Sequence, residues 1–204
     1  MEPESASPPT NPAPATPARR LPPGAARWLA ALGILAAYAW AHFALAGCLM
    51  RQTNHTDKDI LGADQKHNIQ LTMNTVPDLA PDFSQRVSEP LTHCLPHGTD
   101  GVVNPLWPWV AAWLAEPGHH ISGPQEVTAQ DRALFNRGRW FNVGLTCGFV
   151  VLIGLGLSRV WSLGATANAV FLMGLGAFLP RAVYYQPEPL YYVFFTLTWV
   201  ACLL

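Results

Sequence analysis

Three carboxylates fall close together at Asp57, Asp59 and Asp64, and a fourth, Glu188, stands far downstream between two prolines. A carboxylate held near a bilayer surface can act as general base toward an acceptor hydroxyl within hydrogen-bond reach. Helical spacing does not gather all three aspartates on one face, because positions two apart point roughly opposite ways. Asp64 runs on into Gln-Lys-His-Asn-Ile, a polar cluster beside it. The alternative for each aspartate is a solvated helix face. Glu188 is the only acidic side chain after Asp131, and it stands where an apolar stretch begins. An ionisable group at membrane depth is costly, which makes it a functional candidate. The alternative is a helix-start carboxylate favoured by the macrodipole.

Arginines suit the other half of such chemistry. Arg137 and Arg139 precede an apolar stretch and Arg181 follows one, so a ring of forked donors for a lipid phosphate is one reading. Interfacial anchors that snorkel to the headgroups are the other. His93-Cys94-x-x-His97 and His119-His120 invite a metal, but no matching carboxylate or cysteine pattern accompanies them, so no metal site is expected. Cysteines 48, 94, 147 and 202 show no ligand spacing, and three of them lie in or at apolar stretches as small hydrophobes. Asn54-His55-Thr56 fits a glycosylation sequon. Neither a glycine-rich phosphate loop nor a nucleophile elbow is present.

The elements that must position these residues are membrane spans. Half of the 204 residues are hydrophobic and 12% are charged, against about 25% charged in soluble domains. A net charge of −1 gives no electrostatic case for nucleic acid. Residues 1–26, with eight prolines, read as a disordered Pro/Ala-rich tail. Residues 28–50 are too long for a signal-peptide core and reach about 34 Å as a helix, enough to cross. Arg19, Arg20 and Arg27 before this span put the N-terminus in the cytoplasm and the polar loop 51–139 outside. Further spans are expected at 140–157 and 163–179, joined by the tight turn 158–162, and at 190–204 after the short connection 182–189. Fifteen residues cross poorly, so this last span reads as truncated and the chain as continuing. Gly144 and Gly148 form a GxxxG pair, and Gly154, Gly156, Gly164, Gly174 and Gly176 add small surfaces suited to close helix packing.

Inside the loop, residues 56–71 open on a capping pattern, Thr56-x-x-Asp59, and Thr128-x-x-Asp131 caps a short helix before the second span. Residues 106–114 are too short to span, and their three tryptophans suit a bilayer interface. The expected fold is therefore an all-α membrane protein: four transmembrane helices and a large extracytoplasmic loop bearing short juxtamembrane helices. That topology sets the loop and the 182–189 connection on one face, so Asp64 and Glu188 share a side of the bilayer.

This arrangement resembles the N-terminal part of a GT-C-type glycosyltransferase, the group that includes polyprenyl-phosphate-dependent aminoarabinose and mannosyl transferases. The resemblance spans roughly residues 28–204. It rests on the first span and large external loop, on the string 64–71 as the acidic helix-borne motif, on Asn104-Pro105-Leu106-Trp107-Pro108-Trp109 as the entry to a second juxtamembrane helix, and on residues 135–142 with 184–190. It implies Asp64 as the catalytic acid-base residue, with Asp57 and Asp59 as rivals, since Ala63 and Gln65 flank Asp64 where the family often has a second acid or an Arg. It implies Glu188 as the second acidic residue of the pocket. Arg137, Arg139 or Arg181 would stabilise the departing phosphate.

The implied partners are a lipid-linked sugar donor, a glycan, lipid or protein acceptor, and membrane lipids. No cofactor is required, with room for a divalent cation, and the bacterial inner membrane is the setting expected. Many such enzymes have more than ten spans, so this chain alone is expected to be inactive. The competing readings are a non-catalytic multi-span protein, such as a transporter subunit or scaffold, and an inactive truncated product.

Overall fold

A computed structural model describes residues 23–53, 65–69, 72, 106–116, 119 and 126–203. The proline-rich tail through residue 22, Asp57, Asp59, Asp64, the sequon, the His93-Cys94-x-x-His97 group and His120 lie outside the described residues.

Helix α1 (Pro23–Thr53) carries only apolar and small residues between Trp28 and His42. Its buried positions, Ala31, Leu35, Tyr38, His42, Ala46 and Met50, recur every three or four residues and form one stripe. The opposite faces remain apolar, with Trp40 76% exposed, and an outside this hydrophobic needs lipid or protein around it. The short α2 (Leu106–Ala112) lies in the segment expected as a juxtamembrane helix. Trp107 departs from the interfacial reading, because it is fully buried against Tyr185.

Helix α3 (Ala129–Val160) begins at Thr128, whose hydroxyl accepts from the Asp131 N–H while the Asp131 carboxylate accepts from the Thr128 N–H. A short helix followed by a span starting at 140 was expected. Instead one uninterrupted helix of 32 residues covers both, about 48 Å against a hydrocarbon core of about 30 Å. Arg137, Gly138 and Arg139 look like a boundary, yet each is accommodated within the helix by contacts described below.

The turn after α3 is tight: the Trp161 N–H closes on the Leu157 carbonyl at 2.8 Å, and Ser162 caps α4 (Leu163–Phe171). The same helical run continues as a π-helical segment, Leu172–Phe178, and then as α5 (Leu179–Ala182). Two neighbours explain the wide turns. Pro180 has no N–H to give and its ring crowds the carbonyl four residues back. Gly174 meets Tyr38 so closely that a Cβ there would overlap the ring. Helix α6 (Glu188–Leu203) follows the 183–187 connection.

The described residues contain helices and no strand, and three stretches are long and apolar enough to cross a membrane: Gly24–Gln52, Ala129–Val160 and Leu163–Ala182. Central α3 packs on α1, α4, α5 and α6. Arg27 at the start of α1 bonds the carbonyls of Ser158 and Trp161, whereas Arg139 near the start of α3 bonds that of Met50 at the end of α1. Thus α1 and α3 are antiparallel, and α4 brings the chain back. The end of α1, the start of α3 and the 183–187 connection share one end of the bundle.

Close packing uses other glycines than the GxxxG pair. Gly154 abuts Leu35 and Val170, Gly138 abuts the Tyr185 ring, and Gly174 abuts Tyr38; Gly144 and Gly148 face open space. Spacing alone does not say which way a pair of glycines points.

Candidate functional site at the Tyr185 connection

Tyr185 organises the end of the bundle that carries the 183–187 connection. Its backbone N–H donates to the Gln65 Oε1 at 2.8 Å, and its carbonyl accepts from the Asn68 Nδ2 at 3.4 Å. The Thr72 hydroxyl donates to the Asn68 carbonyl at 2.8 Å, so the Tyr185 phenol donates to the Thr72 Oγ1 at 2.7 Å. The ring stands edge-on to Trp107 at 5.3 Å, lies near Phe135 at 6.2 Å and covers Gly138. Ile69, Ala111, Ala115, Leu134 and Leu190 complete this apolar cap. Burial pushes the Tyr185 phenol well above the ordinary tyrosine range, with the Thr72 contact acting in the opposite sense.

Arg139 is 1% exposed. Its Nε donates to the Val183 carbonyl at 2.6 Å and its Nη2 to the Met50 carbonyl at 3.3 Å, while the guanidinium covers Phe135 at 4.9 Å. One arginine thereby ties the end of α1 to the start of the connection. Asn142, one turn on, donates from Nδ2 to the carbonyls of Tyr184 and Gln186, each at 3.0 Å. Its Oδ1 is left buried with no hydrogen-bond partner. Arg137 bonds the Leu114 carbonyl at 2.5 Å and pairs with Glu116, which fastens α3 to the segment after α2. Arg181 is exposed, and its guanidinium has no partner among the described residues. Glu188 sits in the first turn of α6 with Oε2 buried and unpartnered. Of the three arginines expected to meet a phosphate, Arg181 keeps a guanidinium free of the described residues.

No family model, curated protein or solved structure matches this chain.

A second cluster is one the sequence reading saw only as a helix cap. Asp131 is fully buried. Its Oδ1 accepts from the His119 Nε2 at 2.8 Å, and the Lys66 Nζ approaches its Oδ2 at 3.6 Å while bonding the Glu126 carbonyl at 2.7 Å. The other ring nitrogen of His119, Nδ1, is buried without a partner. Lys66 and His119 were legible only as members of a motif and of a histidine pair. What separates them from surface residues is the carboxylate they share, 65 and 12 positions away.

A further polar line runs inside the bundle. The Tyr38 hydroxyl bonds the His42 Nδ1 at 2.9 Å, and the His42 Nε2 faces the Val143 carbonyl at 3.2 Å. A carbonyl only accepts, so the proton is on Nε2 and the Tyr38 hydroxyl donates. Hydrogen bonds of this kind hold helices together where lipid offers no hydrophobic drive.

Among the described residues no three His, Cys, Asp or Glu side chains gather as a metal site. The chemistry on offer is that of buried polar atoms without partners: the oxygens Glu188 Oε2 and Asn142 Oδ1, and the ring nitrogen His119 Nδ1. Hydroxyl-bearing groups satisfy such atoms. Asp57, Asp59 and Asp64 lie outside the described residues.

Proposed function

We propose that this chain forms part of a membrane glycosyltransferase of GT-C type, moving a sugar from a polyprenyl-phosphate-linked donor to an acceptor hydroxyl on the extracytoplasmic face. One observation carries the reading: Gln65, the residue after Asp64, is bonded to Tyr185, three residues before Glu188. The flanks of the two acidic motifs therefore meet, as a shared pocket requires. Helix α6 is the fourth crossing in this reading, and the segment between α1 and α3 is the external loop. The alternative, a non-catalytic transporter subunit or scaffold, is the outcome of the test below.

The acceptor oxygen attacks the anomeric carbon and the bond from that carbon to the phosphate oxygen breaks. Its electron pair leaves with the polyprenyl phosphate, and the acceptor proton passes to the Asp64 carboxylate. Arg181, exposed where the third crossing ends, stabilises the departing phosphate. The unfilled Glu188 Oε2 accepts from a sugar hydroxyl. The reaction as written needs no cofactor.

The test is sugar transfer from a polyprenyl-phosphate donor, measured in membranes containing the full-length protein. Asp64→Asn abolishes transfer while membrane insertion stays intact, and Glu188→Gln lowers turnover. Full activity in Asp64→Asn removes that residue from the mechanism and turns attention to Asp57 and Asp59. Absence of any transfer by the wild type rejects the enzyme reading in favour of a scaffold.

A further inference from the structure

The opposite end of the bundle, where α1 begins and α3 ends, carries a cleft of about 240 Å³ lined by Gly24, Arg27, Trp28, Ala31, Ser158 and Arg159. Its size is below the roughly 300–1,000 Å³ of sites that enclose a whole drug-sized molecule. A headgroup fits, with the rest of its molecule outside.

The donors are cationic and meet no carboxylate among the described residues. Every carboxylate among the described residues, Glu116, Glu126, Asp131 and Glu188, belongs to the other end. Arg159 has its guanidinium 5.7 Å from the centre of the Trp28 ring, a contact that orients the fork without neutralising it. Arg27 uses only Nη2, for the Ser158 and Trp161 carbonyls at 2.9 and 2.7 Å, and so satisfies the end of α3. Its Nε and Nη1 donors remain. Two planar forks beside one cleft match the oxygens of a phosphate.

The position of the cleft selects the source of that phosphate. Both helices that form it are apolar enough to cross a membrane, and it lies at their ends, at headgroup level. The outer surface of α1 beside it is apolar, with Trp28, Leu29 and Leu32 42%, 56% and 51% exposed, a surface against which an acyl chain can lie. We propose that this cleft binds the phosphate of an anionic phospholipid from the adjoining leaflet. The site is independent of the sugar-transfer reading and holds whether or not the chain is an enzyme.

Native mass spectrometry of the full chain in neutral detergent, titrated with phosphatidylglycerol or phosphatidylcholine, tests it. Phosphatidylglycerol is expected to bind more tightly, and Arg159→Gln to weaken it about fivefold, the worth of one basic residue at a charged leaflet. Arg159→Lys, which keeps charge but loses the fork, should fall between, and Arg51→Gln at the other end should change nothing. Helical circular dichroism accompanies each variant, so that a misfolded one is recognised and the lysine variant decides. Equal binding of the two lipids, or equal loss in Arg51→Gln and Arg159→Gln, overturns the proposal. So does soluble glycerol phosphate competing as well as the lipid, since it makes the site one for free phosphate.

Discussion

The backbone N–H of Tyr185 and the side-chain oxygen of Gln65 meet at 2.8 Å across 120 positions of sequence. With the Asn68 and Thr72 contacts, this bond joins a segment that follows α1 to the short connection ahead of α6. Gln65→Ala leaves the buried N–H of Tyr185 without its acceptor, an omission that costs about 1–3 kcal/mol. Thermal unfolding in detergent should show the loss, whereas substitution of exposed Arg51 should show none.

Tyr185 also predicts a pH response. Burial raises its pKa in the folded chain above that of the unfolded chain. The folded state therefore holds the proton more tightly, and stability falls as pH rises through and beyond the ordinary tyrosine range. Tyr185→Phe should remove that part of the alkaline slope in urea titrations at stepped pH. An unchanged slope would mean that another group sets it.

Glycine substitutions should separate packed from unpacked surfaces. Gly138→Ala and Gly174→Ala drive a methyl into the rings of Tyr185 and Tyr38, and overpacking of this kind costs about 1–3 kcal/mol. Gly144→Ala and Gly148→Ala meet open space and should stay within about 0.5 kcal/mol of the parent. A large loss at Gly144 or Gly148 would reveal a partner helix on that face.

A double-mutant cycle on Tyr38→Phe and His42→Phe measures the bond inside the bundle. Interhelical hydrogen bonds in membranes average about 0.6 kcal/mol and reach about 1.7. Tyr38 and His42 share one helix, so the cycle isolates the bond between them, and the loss in the single His42→Phe variant is what includes the bond to the Val143 carbonyl of α3. A coupling energy at zero would make the two side chains independent space-fillers.

Asp131 is predicted to be the most costly single truncation. Asp131→Ala removes the carboxylate half of the α3 capping box and strips the shared carboxylate from Lys66 and His119. Breaking a buried pair by deleting one partner costs about 3–5 kcal/mol. Asp131→Asn keeps an acceptor for the Thr128 N–H and should lose less. Equal stability of the two variants would put the whole cost on the lost charge shared with Lys66 and His119 and none on the cap.

Much of the fold was legible because hydropathy over twenty residues needs no knowledge of partners. The three long apolar helices, the Ser162 turn and the capping pair at Thr128 follow from local sequence. The expected boundary before Trp140 failed for the opposite reason. Hydropathy counts Arg139 as a charge that must face water, but the Val183 and Met50 carbonyls receive it inside the protein. Asp131 was visible as a cap and invisible as a shared carboxylate, since Lys66 and His119 reach it only after folding. The same limit hid His42, a polar residue in an apolar run whose partners come from its own helix and from α3.

Helix α3 has no joint between the Tyr185 cap and the bilayer. Its first three turns carry Asp131, Phe135 and Arg139, and its later turns carry Val143, Val150 and Gly154 in the interior. One helix therefore belongs to both regions. With no break in the helix, the turns that hold the cap around Tyr185 and the turns packed inside the bundle keep one common axis.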